Sequence, residues 1–384
     1  MNTHIRIQQA LINGTWVKDL VFTINDGRIT TLSPYSEEVA VDAYVKGKVL
    51  PGYIDTQVNG GGGVMFNHVP TRESIALMAD AHLQYGTTSF FPTLITDDLS
   101  TIEQAANAIA EAIREQHPSV LGVHFEGPHL SVAKKGVHLP RYIRPLSDKE
   151  FAVYTRKDIG QVIVTVAPEN VSVDVIKALV NEGVIVALGH SNAPHDIVQQ
   201  ALEAGATGFT HLLNAMSPFT SREPGMVGAA LLSRATCGLI VDHQHLHKKS
   251  AELAIKVKGE RQIMLVTDAM AHVGAPNDTI AFFDTEITRT GQKLTTPDGT
   301  LAGSCLDMHQ AVLNCVNDMS VPLEKASVMA SETPAAFANV DDHVGKLAEG
   351  YAANFVVLDD NNALTQVWQS GVCKKNNNKA SDSL

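Results

Sequence analysis

Four residues combine reactive types with suggestive positions: Glu126, His190, His211 and Asp268. Each closes an apolar run: Val120-Leu121-Gly122-Val123-His124-Phe125 before Glu126, Ala187-Leu188-Gly189 before His190, Phe209-Thr210 before His211, and Leu265-Val266-Thr267 before Asp268. Such runs read as buried parallel strands, and Gly127-Pro128 would turn the chain directly after Glu126. One such residue alone is explained equally well by a helix cap or a hydrogen-bonded core histidine. Four strand ends of the same kind are not. A buried carboxylate must be paired, hydrogen-bonded or bound to metal, since leaving it bare costs several kcal/mol. Glu126, His190 and His211 are one carboxylate and two imidazoles, the ligand set of an open zinc-type site with a position left for water. Asp268 is then the nearby acid not needed as a ligand, able to accept a proton from activated water and return it to a leaving group.

The elements that must position these residues repeat as strand and helix. Strands are expected over 49–59, 87–96, 120–128, 162–169, 184–191, 206–213, 237–245 and 262–269, with helical spacing between them, as in Ser74-Ile75-Ala76-Leu77-Met78-Ala79 and Val175-Ile176-Lys177-Ala178-Leu179-Val180. Eight repeats over roughly 250 residues suit a closed (β/α)8 TIM-type barrel, whose strand carboxyl ends carry the chemistry. The alternative, an open doubly wound sheet, would carry a glycine-rich phosphate turn after its first strand; Asn59-Gly60-Gly61-Gly62-Gly63 imitates one weakly. The first fifty residues alternate as short strands around Asn13-Gly14 and Asn25-Asp26-Gly27, and the tail adds Phe355-Val356-Val357-Leu358 and Thr365-Gln366-Val367-Trp368. Neither end suffices alone, so both are expected to pair into one small β-sandwich domain, 1–49 plus 346–384, beside a barrel domain over 50–345. Residues 374–384 are polar and Asn-rich and are expected to fray.

Composition narrows the function classes. A net charge of −12 over 384 residues argues against nucleic acid as a partner. An anionic small substrate needs local cations to overcome that field. No apolar stretch is long enough to cross a bilayer, and the first residues lack the pattern of a signal peptide, so the expected location is cytoplasmic. Cys237, Cys305, Cys315 and Cys373 are widely spaced and read as reduced thiols.

With these residues in place, the sequence resembles the amidohydrolase superfamily and, within it, its mononuclear deacetylase branch. The resemblance runs through Pro51-Gly52-Tyr53-Ile54-Asp55, His124-Phe125-Glu126-Gly127-Pro128, Gly189-His190-Ser191-Asn192-Ala193, Thr210-His211-Leu212-Leu213-Asn214-Ala215-Met216, Arg222-Glu223-Pro224-Gly225, Val266-Thr267-Asp268-Ala269 and Gly345-Lys346-Leu347-Ala348-Glu349-Gly350. It implies a metal-dependent hydrolase that converts N-acetylglucosamine 6-phosphate to glucosamine 6-phosphate and acetate. Most amidohydrolases carry His-X-His at the end of strand one, where this chain has Gln57-Val58-Asn59. Gln57 and Asn59 are therefore a possible remnant of a second metal site, and one divalent metal per subunit is expected: Zn2+, with Fe2+, Co2+ or Mn2+ as alternatives. The resemblance further implies that His138 contacts substrate and polarises the acetyl carbonyl. It implies that Asn214 and Ala215 contact the sugar phosphate, that Gly303 lies in a loop over the substrate, and that Arg222 and His245 contact phosphate. It also implies a homodimer, with Arg222 and His245 contributed across the interface.

The chain departs from the family where Val241-Asp242-His243-Gln244-His245-Leu246-His247 sets three histidines at alternate positions. In a strand all three would share a face, which leaves His243 and His247 open beside His245. Residues 277–298 read as hairpins around Thr290-Gly291 and Asp298-Gly299. Two rival readings keep the barrel: another amidohydrolase activity, on a cyclic imide or a different N-acyl substrate, and a catalytically silent interaction protein.

Overall fold

A computed structural model describes residues 2–377. Among these, eight parallel strands follow one another in chain order: Tyr53–Val58, Thr87–Ile95, Gly122–Glu126, Gln161–Val166, Ile185–Leu188, Gly208–Phe209, Thr236–Leu239 and Ile263–Leu265. A parallel bridge between Val58 and Ala269, with the Asn59 N–H donating to the Ala269 carbonyl at 2.9 Å, joins the first to the last and closes the barrel. Helices alternate with the strands because their apolar residues recur on one face. Over Leu99–Arg114, Ile102, Ala105, Ala106, Ile109 and Ala112 are buried, and the Asp98 carboxylate caps the Thr101 N–H at 2.8 Å.

Both chain ends build the small β layer. Its strands lie in the order Val372–Asn376, Leu364–Gln369, Phe355–Leu358, Ala43–Pro51, Thr3–Ile12, Thr15–Asn25 and Arg28–Pro34, antiparallel except where Thr3–Ile12 meets Ala43–Pro51. Ile5, Ile7, Phe22, Val45, Phe355 and Val357 fill its core, with Trp368 stacked on Phe355 at 5.2 Å. Lys374 to Asn376 thus belong to a strand, not to a frayed tail; Met1 and residues 378–384 of the expected domain lie outside the described residues.

All eight expected strands come out shorter, three of them in ways that bear on the site. The run 49–59 divides at Gly52, because Ala43–Pro51 joins the small sheet and Tyr53–Val58 enters the barrel. The sixth strand is only Gly208–Phe209, after which the backbone curls through positive φ at His211, Leu213 and Ala215. The seventh ends at Leu239, so 242–246 bends away from the strand and His243, His245 and His247 do not share a strand face. The expected hairpins form a three-stranded sheet, Thr279–Phe282, Thr285–Thr290 and Lys293–Thr295, packed over the barrel mouth through Phe282, Ile287 and Leu294. Among the described residues, no helix is long and apolar enough to cross a membrane.

Candidate active site

The carboxyl ends of the strands converge on a cavity of about 190 Å³. Its lining includes Glu126, His138, His190, His211 and Asp268, together with Asn214, Ala215, His245, Gly303 and Asn59. A larger concavity of about 710 Å³ opens at the other end of the barrel beside Ala206, Thr236 and Arg261, but no histidine lines it among the described residues. Backbone strain also marks the smaller cavity. His190, His211, Ala215 and Asp268 have φ of 47°, 35°, 50° and 53°, a region that non-glycine residues enter only where the surroundings enforce it.

The three expected ligands face each other closely. His190 Nε2 and His211 Nε2 lie 3.2 and 3.1 Å from Glu126 Oε1, and 2.9 Å from one another. His190 Nδ1 donates to the Lys134 carbonyl at 2.8 Å, so in the neutral ring the Nε2 lone pair points at the carboxylate. Lone pair against carboxylate is repulsive unless a cation or proton lies between. Donors bound at about 2.0–2.2 Å to one tetrahedral ion would stand about 3.3–3.5 Å apart, close to the observed spacing. The electrostatics agree. Burial alone would raise the Glu126 pKa, yet hydrogen bonds and charge from His190 and His211 hold it well below the usual carboxylate range. Burial opposes a charged His211, but Glu126 outweighs it and raises the ring's pKa. The cluster attracts positive charge, and its donor set fits a divalent metal.

His138 competes for the third ligand position on distance alone, since one donor atom each of Glu126, His138 and His190 fall within 4.8 Å of one another. Its tautomer separates it. The Thr96 N–H donates to His138 Nδ1 at 3.3 Å, and with the Thr96 hydroxyl, 2.7 Å away, donating to the same nitrogen the ring proton sits on Nε2. A protonated Nε2 is a hydrogen-bond donor and not a metal ligand. Burial, then positive charge at His190, hold this ring well below the usual histidine pKa and therefore neutral.

Gln57 and Asn59 act as donors here. Gln57 Nε2 lies 3.1 Å from each Glu126 oxygen and 3.2 Å from Asp268 Oδ1, and Asn59 Nδ2 lies 2.6 Å from the same Oδ1. Their amide nitrogens face the carboxylates, while Asn59 Oδ1 is buried without a hydrogen-bond partner. Asp268 is pushed up to about 6, first by burial and then by the charge of Glu126. Its Oδ1 is occupied by the two amides, which leaves Oδ2 for a proton.

At the other side of the cavity, Asn214 Nδ2 is buried without a hydrogen-bond partner, a donor awaiting an acceptor. His245 Nδ1 donates to Asp242 Oδ2 at 2.7 Å, and Asp242 Oδ1 also accepts the His245 N–H at 2.8 Å, which fixes the turn. His243 pairs with Asp318 instead, and His247 caps the helix Lys248–Lys258, so neither shares the cavity. His245 lines the cavity of its own chain. Arg222 is exposed and does not line this cavity. Gly303 has φ +53°, and a Cβ there would stand 2.6 Å from Met270 Cγ and Sδ, so the covering loop needs glycine to lie this close.

Sequence reasoning missed the supports: Thr96, which sets the His138 tautomer, and Asp242, which sets His245. Thr96 is the last residue of an expected strand, the one signal that could have found it, whereas Asp242 falls inside one. It also missed the apolar lining, Ile95, Val137 and Met270, which sequence cannot tell from core.

The pattern of the amidohydrolase family matches residues 48–378. The chain is 47% identical over 369 residues to N-acetylgalactosamine-6-phosphate deacetylase of Shewanella sp. strain ANA-3, covering 94% of this chain and 93% of that relative. It is 36% identical to N-acetylglucosamine-6-phosphate deacetylase of Haemophilus influenzae, covering 94% and 96%. A crystal structure of N-acetylglucosamine-6-phosphate deacetylase from Pasteurella multocida superposes with a TM-score of 0.93 at 33% identity, covering 98% of this chain and all of that one (100%).

Proposed function

The chain belongs to the amidohydrolase family, and from that premise we propose that it removes the N-acetyl group from N-acetylglucosamine 6-phosphate. The observation that carries this reading is the juxtaposition, in one cavity, of the Glu126–His190–His211 cluster with Asp268, His138 and the open donor of Asn214. Glu126, His190 and His211 would hold one divalent cation per subunit; the two imidazoles and one carboxylate suit zinc. Such a cation supplies water that ionises near neutral pH and Lewis-acid pull on the amide carbonyl.

The chain's own residues do the rest. Asp268 takes the proton of the attacking water at Oδ2 as the C–O bond forms and the carbonyl π pair moves to oxygen, then returns it to the amine nitrogen as that pair comes back and the C–N bond breaks. His138 donates from Nε2 to the carbonyl oxygen as it gains charge. Gln57 and Asn59 fix the two carboxylates. Asn214, the Ala215 backbone and His245 receive the sugar phosphate, and Gly303 lets the covering loop close over it. Arg222 adds a planar cation for the phosphate from the partner of a homodimer. Phe219 and Leu253, 63% and 60% exposed, leave apolar surface in the Arg222 segment and on the helix Lys248–Lys258 for such a partner. A cytoplasmic location suits the thiols of Cys237, Cys305 and Cys315.

The C4 epimer, N-acetylgalactosamine 6-phosphate, is a second reading, favoured by the 47% identity to the Shewanella protein. Acetate release from each phosphorylated epimer and from unphosphorylated N-acetylglucosamine, before and after chelation and zinc return, tests both. Release from a phosphorylated sugar alone, lost on chelation and restored by zinc, is expected. No release by metal-loaded protein overturns the deacetylase reading.

A further inference from the structure

The cavity is polar at one side and apolar at the other. Asn214 and Ala215 follow the sixth strand and His245 the seventh, while Ile95 closes the second strand, Val137 lies on the loop after the third, and Met270 follows the eighth. The reactive groups stand between the two sides. If the chain acts on an N-acylated sugar phosphate, as proposed above, the sugar and phosphate require the polar side. The acyl chain, beyond the carbonyl carbon, then faces Ile95, Val137 and Met270.

Val137 has a second neighbour. It also lines an adjoining cavity of about 280 Å³, whose walls set Leu139, Phe282 and Phe283 beside polar residues such as Lys135, Asp284 and Thr296. Val137 is half-buried and packs against the apolar cluster that contains Ile95, Met270 and Phe282. Gly136, at φ +56°, lines both cavities too, but it has no side chain to fill the gap. The isopropyl group of Val137 is therefore the side chain that stands between the reactive cavity and the Leu139, Phe282 and Phe283 walls of the space beyond it.

We propose that Val137 is the partition that sets acyl-chain length, admitting acetyl against Ile95 and Met270 and excluding longer linear acyl groups from the Phe282–Phe283 cavity. Hydrolysis of a longer amide would follow the same bond changes, with water consumed and the longer carboxylate released. Hydrophobic pockets discriminate by roughly 10–200-fold per methylene.

The test is kcat/KM for N-acetyl-, N-propionyl- and N-butyrylglucosamine 6-phosphate, measured on the zinc-loaded full chain as wild type, Val137→Ala and Val137→Leu. Wild type is expected to prefer acetyl to butyryl by at least about 100-fold. Val137→Ala should raise the butyryl-to-acetyl ratio by about tenfold or more, and Val137→Leu should lower the propionyl-to-acetyl ratio. If Val137→Ala does not fold, the Leu variant still carries the test. Ratios that stay within about twofold of wild type in the folded variants, or that move the same way in both, overturn the partition while leaving deacetylation intact. A wild type that turns over butyryl as well as acetyl does the same. A wild type that releases no acetate overturns the deacetylase reading itself.

Discussion

Asp268→Asn separates proton transfer from everything else in the cavity. An asparagine can keep its carbonyl oxygen where Oδ1 now accepts from Asn59 at 2.6 Å and Gln57 at 3.2 Å. Its amide nitrogen then occupies the Oδ2 position, presenting a donor where the reaction needs an acceptor. General acid–base groups contribute about 10²–10⁴-fold, so kcat/KM should fall by that factor, about 3–5 kcal/mol in barrier height. The fold should not suffer. Asp268 sits at about 6 against 3.8 for the ordinary side chain. A raised acid pKa gives stability that is full below 3.8 and is lost as pH rises through 6, so at neutral pH the wild type carries a penalty of at most about 3 kcal/mol. The asparagine variant carries none, and in metal-free protein above pH 7 it should be at least as stable as wild type. A bound cation would lower the carboxylate's pKa and shrink that gain. Acetate release, metal content and thermal unfolding should be measured on the same preparations. A folded variant with wild-type metal content that retains more than about a tenth of wild-type kcat/KM would refute the shuttle.

Three further perturbations read other parts of the site. His138→Asn removes the Nε2–H donor and should lower kcat by about 10²–10³ with a smaller change in KM; an unchanged kcat would remove His138 from the oxyanion role. Mixed dimers of Arg222→Ala with Asp268→Asn should regain activity that neither parent has, because the hybrid rebuilds one intact site if Arg222 acts across the interface; no recovery on mixing would place it elsewhere. Asp55→Asn probes the support beneath Asp268. Burial pushes Asp55 up to about 7 although Thr267 and the Gln57 N–H bond to it, so its stabilising term is full below 3.8 and fades as pH rises through 7. Relative to wild type, the variant should gain stability between about pH 4 and pH 7, by at most about 4 kcal/mol in denaturant unfolding; a pH-independent difference would refute the shift.

The eightfold alternation, the joining of the chain ends and the cluster of Glu126, His190, His211 and Asp268 were legible because apolar runs ending in polar residues obey barrel geometry. Strand lengths were not. Gly208–Phe209 is a short strand because positive φ at His211 and Leu213 bends the chain away, and no residue type there announces it. The three alternating histidines looked like one strand face until Asp242 captured two backbone N–H groups and made a turn. Tautomers were equally hidden: His138 differs from a ligand only through the Thr96 N–H, which is 42 residues away in the chain. The apolar side of the cavity was invisible for a plainer reason, since Ile95 and Met270 have the same pattern as core residues.

The two carboxylates at the centre show how amides at strand one bear on the metal count. Glu126 and Asp268 are both buried, yet their pKa values move in opposite directions. Two imidazoles compensate Glu126, which stays charged and suits a cation. Asp268 takes the repulsion of Glu126 and titrates near the range of a proton carrier, which is how environments divide acid and base roles. Imidazoles at positions 57 and 59 would bring lone pairs and a second cation, whose charge would drive Asp268 permanently to its anion. The amides of Gln57 and Asn59 steady Asp268 through single neutral hydrogen bonds and add no charge. The proposed single ion per subunit and a protonatable Asp268 would then follow from the same two residues, and a second tightly bound ion, found by metal analysis of the zinc-loaded chain, would break the argument at both ends.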